Sequence, residues 1–499
     1  MNTQRFFRPV IFFAFATWLL LSLAAAAQTP AKSSAPTVKP VPAVSSAPWL
    51  LSPEERHRLE EIAAADRKRM MELLNVNEAK NLPPEESDPK RPADTVRPPN
   101  NPQGWTDAAG NFVVRSGWGN WINYDLTKAD AGPLPNPLVL KNGKPVTTAT
   151  TWWQVRRPEI VEDFAREIYG RIPANTPKIT WEILESDTHA LDGRATLKRI
   201  VGHIDNSRHP AATPSIQITL HLPANATGPV PVLVAIGGFG LPPGFPAPKG
   251  PTALDLVLAH RWGYATFAPY AVQSDSGAGL TEGIIGLVNE GRPRKPDDWG
   301  SLAAWSWGLS RVIDYLETEP SVDTKRLGVE GHSRFGKTAL VAAAFDPRWA
   351  IAYASCSGEG GAKLHRHDYG ESVDVVAWTG EYHWMAGNFL KYGGRWNDLP
   401  VDQHELIALV APRPIFVTGG TKDLWPDPVG MFQACVAAGP VYRLLGQADL
   451  GTTEMPAPDH GLIGGEIGFR LHTGGHTDLP DWPTFLQFAD KYFGSPTHT

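Results

Sequence analysis

The chain has 499 residues, of which 42% are hydrophobic and 20% charged, with a formal net charge of −6. That is enough apolar material for a large buried core and too polar overall for a multi-span membrane protein. The acidic balance and the lack of a basic stripe exclude nucleic acid as an expected partner.

Residues 1–27 read as a signal peptide. Arg5 and Arg8 precede an apolar run over residues 10–23, and Ala25, Ala26 and Ala27 offer a small-residue cleavage site. No later run is long enough to span a bilayer. The expectation is a periplasmic or secreted protein with no membrane attachment once the leader is removed, working as a monomer. Cys356 and Cys435 are its two cysteines, and no Cys/His spacing matches a zinc site. No disulfide, metal or cofactor is expected. The 18 Trp residues read mainly as core, with a few as flat platforms for sugar rings.

Residues 28–46 are rich in Pro, Ala, Ser and Lys and read as a linker. Ser52-Pro53-Glu54-Glu55 has the pattern of a helix start, and the helix extends to about Leu74. Residues 82–103 are again Pro-rich and charged. Residues 28–119 are therefore assigned to a linker and a surface arm with one helix, and residues 120–499 to one globular domain.

Residues 136–146 look like a strand-and-turn lead-in. An amphipathic helix follows over 152–169, with Trp153, Ile160, Phe164 and Ile168 on one face. Strands at 179–184, 195–203 and 215–222 suggest an antiparallel start, with Thr219, His221 and Pro223 marking an edge. The pattern then changes to continuous apolar strands at 230–236, 264–268, 327–329, 351–355 and 415–420, with a last one at 441–445. Helices at 253–262, 303–316 and 482–493 alternate with them. That alternation implies parallel strands joined by right-handed crossovers. The fold class is α/β: an α/β-hydrolase, with a mostly parallel sheet, antiparallel N-terminal strands and helices on both faces.

The segment Gly331-His332-Ser333-Arg334-Phe335-Gly336 joins a strand to an Ala-rich helix. Its G-x-S-x-x-G spacing is one residue longer than the common nucleophile elbow, and the mechanics are the same: a tight turn lifts the serine oxygen above the sheet. Such a serine needs a base, an acid and oxyanion donors. In this fold the acid and base follow the serine in the chain. His476, in a Gly-rich loop before the closing helix, is the favoured base, with His472 and His460 as alternatives. Asp423, after the 415–420 strand, is the favoured acid, with Asp427 and Glu359 as alternatives. Arg334, through its N–H or its guanidinium, is the expected oxyanion donor, with residues 237–240 able to add a backbone N–H.

These residues carry a resemblance. Gly331 to Lys337, Gly358-Glu359-Gly360-Gly361, the run from Glu381 to Phe389, Ala411-Pro412-Arg413-Pro414 and Gly475-His476 resemble the glucuronoyl esterases of carbohydrate esterase family 15, bacterial type. The resemblance implies hydrolysis of esters between 4-O-methyl-glucuronic acid of xylan and a lignin alcohol. It implies Ser333 as nucleophile, His476 as base and Arg334 as oxyanion stabiliser. Lys337, Glu381 and Trp425 would contact the uronate, and Trp384 is placed with them. Glucuronoxylan or a lignin–carbohydrate ester is thus the expected partner. The chain departs from fungal members in having Cys356 where they place the catalytic Glu, and Ala377 near the place of their sugar-directed Gln. The acid then falls to Asp423. The long N-terminal arm and the segment 275–298 are also unlike the compact fungal forms. An acetyl-xylan or other carboxylesterase, an exported serine peptidase and a non-catalytic carbohydrate-binding protein are the competing readings.

Overall fold

The computed structural model describes residues 51–97, 104–129, 132–237 and 250–494, all within the unit Lys39–Thr499. The expected leader and linker lie outside these residues, as do positions 238–240 of the loop expected to add an oxyanion N–H.

Helix α1 (Pro53–Leu73) starts as its sequence dictates: the Ser52 hydroxyl accepts from Glu55 N at 3.1 Å and Pro53 opens the first turn. It does more than lie on the surface. Met70 and Met71 enter the main core, Arg67 donates to Ala377 O, and Tyr382 donates to Ala63 O. A short hairpin follows, β1 (Trp105–Thr106) with β2 (Phe112–Val113). The expected lead-in strand at 136–146 is only an isolated bridge between Val139 and Pro145. Residues 149–168 are helical throughout. Trp152 faces the core there and Trp153 is 43% exposed, against expectation, because π turns at Trp152–Arg156 and Phe164–Ile168 shift the phase of the buried face.

Among the described residues ten strands form the main sheet: β3 (Ile179–His189), β4 (Ala195–Ile204), β5 (Ser215–Pro223), β6 (Val230–Ile236), β7 (Gly263–Phe267), β8 (Val322–His332), β9 (Ile351–Ser355), β10 (Ile415–Gly420), β11 (Gly461–Leu462) and β12 (Ile467–His472). Their order is β11-β12-β10-β9-β8-β6-β7-β5-β4-β3. β3, β4 and β5 are antiparallel neighbours, and β7 through β12 by way of β6, β8, β9 and β10 are parallel. The antiparallel-then-parallel pattern is as expected. The edge assignment for β5 is not: β5 lies between β4 and β7, and the outer strand is β3.

Helices α2 (Ala253–Ala259), α3 (Ser301–Leu316), α4 (Arg334–Phe345), α5 (Gln403–Val410), α6 (Pro428–Leu444) and α7 (Trp482–Phe493) cover the sheet. Alternate strand residues divide between its faces. Val232, Val234, Ala352, Ala354 and Val417 join the large core with α3 to α6, while Leu233, Ala235, Tyr353 and Phe416 pack with Trp482, Phe485 and Phe488 of α7. Both faces are buried, so the strands read as unbroken apolar runs, and each fully buried aliphatic or aromatic side chain contributes about 1.5–3 kcal/mol. The strand expected at 441–445 is instead the end of α6, which carries Pro440 in its interior.

Candidate active site

Four adjacent parallel strands, β12, β10, β9 and β8, point their C-terminal ends the same way. His476, Asp423, Cys356 and Ser333 follow those four ends in that order. The topology alone therefore gathers residues from distant parts of the chain onto one rim.

Ser333 joins β8 to α4 with φ 59° and ψ −129°, a region that costs a non-glycine residue on the order of 1–3 kcal/mol. Its N–H donates to Ser355 O at 2.8 Å, and Lys337 N donates to its carbonyl as α4 begins. The two glycines of the motif make this turn possible. A Cβ on Gly331 would stand 2.2 Å from Phe335 O, and one on Gly336 would stand 2.7 Å from Ser355 O. Neither backbone oxygen can move without opening the elbow. Among the described residues the Ser333 hydroxyl is in no hydrogen bond, which leaves it unencumbered at the N-terminus of α4.

His476 Nδ1 and Asp423 Oδ2 are 2.6 Å apart. Asp423 is buried while the His476 side chain is 42% exposed. The His476 ring lies against that of His332, the residue before Ser333, with centroids 4.4 Å apart and a 55° tilt. His332 Nδ1 meets Ser355 Oγ at 3.1 Å. Burial, with the neighbouring His476, lowers the His332 pKa to about 3, so this ring stays neutral. A buried carboxylate, an imidazole with one nitrogen bound to it, and a strained serine at a helix start can together transfer an acyl group.

The alternatives are placed elsewhere. His472 closes β12 and commits both nitrogens, to Asp481 and to Gly475 O, at 3.0 Å each. His460 lies exposed in the loop before β11. Asp427 caps α6, accepting from Gly430 N, and holds His367 Nδ1 at 2.6 Å. Glu359 is buried against His365 and Lys363; burial opposes its charge, but those two partners hold it down at about 2. Cys356 is buried beside Asp423, and burial together with that carboxylate pushes its thiol well up. A neutral thiol cannot stabilise an imidazolium as a carboxylate does.

The chain as a whole is similar to known proteins. A family model described as fungal glucuronyl esterase covers residues 206–446. Carbohydrate esterase MZ0003, from an unknown prokaryotic organism, is 33% identical over 74% of this chain and 92% of its own length. The 4-O-methyl-glucuronoyl methylesterase of Cerrena unicolor is 30% identical over 73% of this chain and 68% of its own. The solved structure of a CE15 glucuronoyl esterase from Teredinibacter turnerae T7901 superposes with a TM-score of 0.74 at 38% identity, covering 86% of this chain and 99% of that one. This chain is a glucuronoyl esterase of carbohydrate esterase family 15.

In this carboxylic ester hydrolase, a cluster of charged and polar side chains lies beside the elbow. Arg334 is ion-paired with Asp275, whose other oxygen receives Trp384 Nε1 at 2.6 Å and meets His383 Nε2 at 2.9 Å. Burial would raise the Asp275 pKa, yet the guanidinium and these donors hold it far below the usual carboxylate range. The Arg334 guanidinium and the Lys337 ammonium each stand 5.4 Å from the centre of the Trp384 ring. Lys337 Nζ donates to Glu371 Oε2 at 2.7 Å and to Ser357 O at 2.8 Å. Glu381 lies in the same charge cluster. Its Oε2 is buried with no hydrogen-bond partner among the described residues, and burial, with the Glu371 charge, raises its pKa to about 8. Trp425 sits two residues after Asp423 on the loop after β10, half-buried, with its ring 6.2 Å from that of Phe112.

Three residues that sequence reasoning missed contact the candidate site residues: Asp275, Glu371 and His332. Asp275 and Glu371 lie in no motif, and His332 lies within the elbow motif, where its type suggests no role. Asp275 opens the segment 275–298 that sets this chain apart from the compact fungal forms, and that was the one available signal.

Proposed function

We propose that this exported enzyme hydrolyses esters of 4-O-methyl-glucuronic acid on glucuronoxylan, releasing a lignin alcohol, through a Ser333–His476–Asp423 triad. Ser333 Oγ attacks the ester carbonyl as His476 Nε2 takes its proton. Asp423 accepts the Nδ1–H bond, which fixes the tautomer with a free Nε2 lone pair and stabilises the imidazolium that forms. The oxyanion is met by the first N–H groups of α4 and the Arg334 guanidinium, which Asp275 and Trp384 hold in place. His476 returns its proton to the departing alcohol. Water, activated by the same imidazole, then cleaves the acyl-enzyme and frees the uronic acid. Lys337, Glu381, Trp384 and Trp425 hold the sugar: cation and carboxyl for vicinal hydroxyls, indoles for the ring's C–H side.

The observation that carries this reading is the 2.6 Å contact of His476 with Asp423, with the ring held against the elbow residue His332. The test is a comparison of benzyl glucuronate with acetylated xylan. Benzyl alcohol release with little acetate release is the expected result. Preferred acetate release would make the protein an acetyl esterase on the same fold.

A further inference from the structure

Cys356 Sγ, an Asp423 carboxylate oxygen and a His476 ring nitrogen all lie within 4.8 Å of one another. Thiolate, carboxylate and imidazole are the ligand types of zinc, and three protein ligands with an open fourth position is a common zinc arrangement. Cys356 has φ 45°, a left-handed backbone that glycine would adopt without steric cost. A side chain kept there against about 1 kcal/mol of strain or more points to a use for that side chain. The thiol approaches Thr477 O at 4.0 Å and is within hydrogen-bonding reach of Asp423. Cys356 is buried, and the exposed side of His476 gives an ion its way in.

We propose that Cys356, Asp423 and His476 form an inhibitory site for a thiophilic divalent cation such as zinc, which stops hydrolysis by imposing the wrong tautomer on His476. The proposal rests on His476 as the base. In the metal-free enzyme Cys356 carries its S–H proton, His476 Nδ1 carries the proton shared with Asp423, and Nε2 has a free lone pair. When the cation binds, the thiol gives its proton to solvent and bonds the metal through sulfur. The imidazole bonds the metal through Nδ1 and keeps its one proton on Nε2. Nε2 is then a donor and cannot take the proton of Ser333. One proton is released for each ion bound. The Nδ1–Oδ2 contact, 2.6 Å without metal, opens to about 3.3 Å around a tetrahedral ion with bonds of about 2.0 Å, a shift the exposed His476 ring can make.

The test titrates the full-length protein with Zn²⁺ during glucuronate ester hydrolysis, and with Cd²⁺ while the thiolate-to-cadmium charge-transfer absorption is recorded. The expected result is inhibition reversed by a chelator and a cadmium band at one equivalent. Cys356→Ala and Cys356→Ser lose the band and need roughly tenfold more zinc or above for half-inhibition. His476→Gln, which keeps the thiol, takes up cadmium more weakly, a readout that needs no turnover. Equal zinc sensitivity in the Cys356 variants, or no cadmium band in the wild type, overturns the site. A band with undiminished turnover overturns the tautomer block, while metal-free His476→Gln that keeps near-wild-type turnover would separately overturn His476 as the base.

Discussion

His476 Nδ1 meets Asp423 Oδ2 at 2.6 Å although 53 residues separate them. Their strands explain the meeting. β10 and β12 are parallel neighbours with Gly420 opposite His472, and the loops that leave them are stitched together by Thr421 N to His472 O at 2.8 Å and Lys422 N to Gly474 O at 3.0 Å. Asp423 and His476, the proposed acid and base, therefore arrive on loops bonded to each other, and Ser333 follows the end of β8 on the same rim.

Asp423→Ala removes the group that fixes the His476 tautomer. Its kcat on benzyl glucuronate falls by on the order of 10³–10⁴, with KM little changed. Cys356→Ala, one strand end away, costs far less. Steady-state kinetics on the two variants check this, and equal mild losses would mean the acid is elsewhere.

Arg334→Ala removes a positive group beside the developing oxyanion and lowers kcat by roughly 10²–10³. Asp275→Asn keeps the arginine but frees its guanidinium, so its loss is smaller and also falls on kcat. The ratio of the two losses, measured on one substrate, separates the charge from its positioning.

Glu381 is protonated in the folded enzyme over a window where the unfolded chain has lost the proton. Its pKa is raised by burial from an ordinary 4.5 to about 8. The stability linked to that proton is fully present below about pH 4.5 and is lost as pH rises towards 8. Glu381→Gln, neutral at every pH, should therefore match the wild type near pH 4 and gain in relative Tm as pH rises. Thermal melts across pH 4–9 check the sign.

Gly331→Ala places a Cβ where Phe335 O already stands, at 2.2 Å. The elbow must open, and we expect a loss of about 1–3 kcal/mol in stability with a drop in kcat. Gly475→Ala is the control, since a Cβ there meets nothing within 4 Å. Melting temperatures of the pair test whether the close approach sets the turn.

The sheet was legible where strands are buried on both faces, as in β6 and β10, because their runs are continuous and apolar. It was misread where one residue type has two meanings. The apolar residues 441–445 read as a strand, yet they end α6, which continues through Pro440. Pro223 and His221 looked like an edge, yet β5 lies inside the sheet. Ser333, Asp423 and His476 stood out because strand-end position and motif spacing coincide. In the Gly-rich loop before His476 the close approach falls on Gly474, whose Cβ would meet the His472 ring at 2.9 Å, rather than on Gly475. Asp275, Glu371 and His332 were silent because their roles exist only through contacts made across the folded chain. The Cys356 cluster was silent for the same reason: its three members have no zinc-type spacing in sequence.

The measurement closest to the central claim is the rate of benzyl alcohol release from benzyl glucuronate by Ser333→Ala, beside the wild type and with folding checked by thermal melt. The account predicts a folded variant whose kcat has fallen by on the order of 10⁵ or more. A folded Ser333→Ala enzyme that still turns the ester over within about tenfold of the wild type would contradict it.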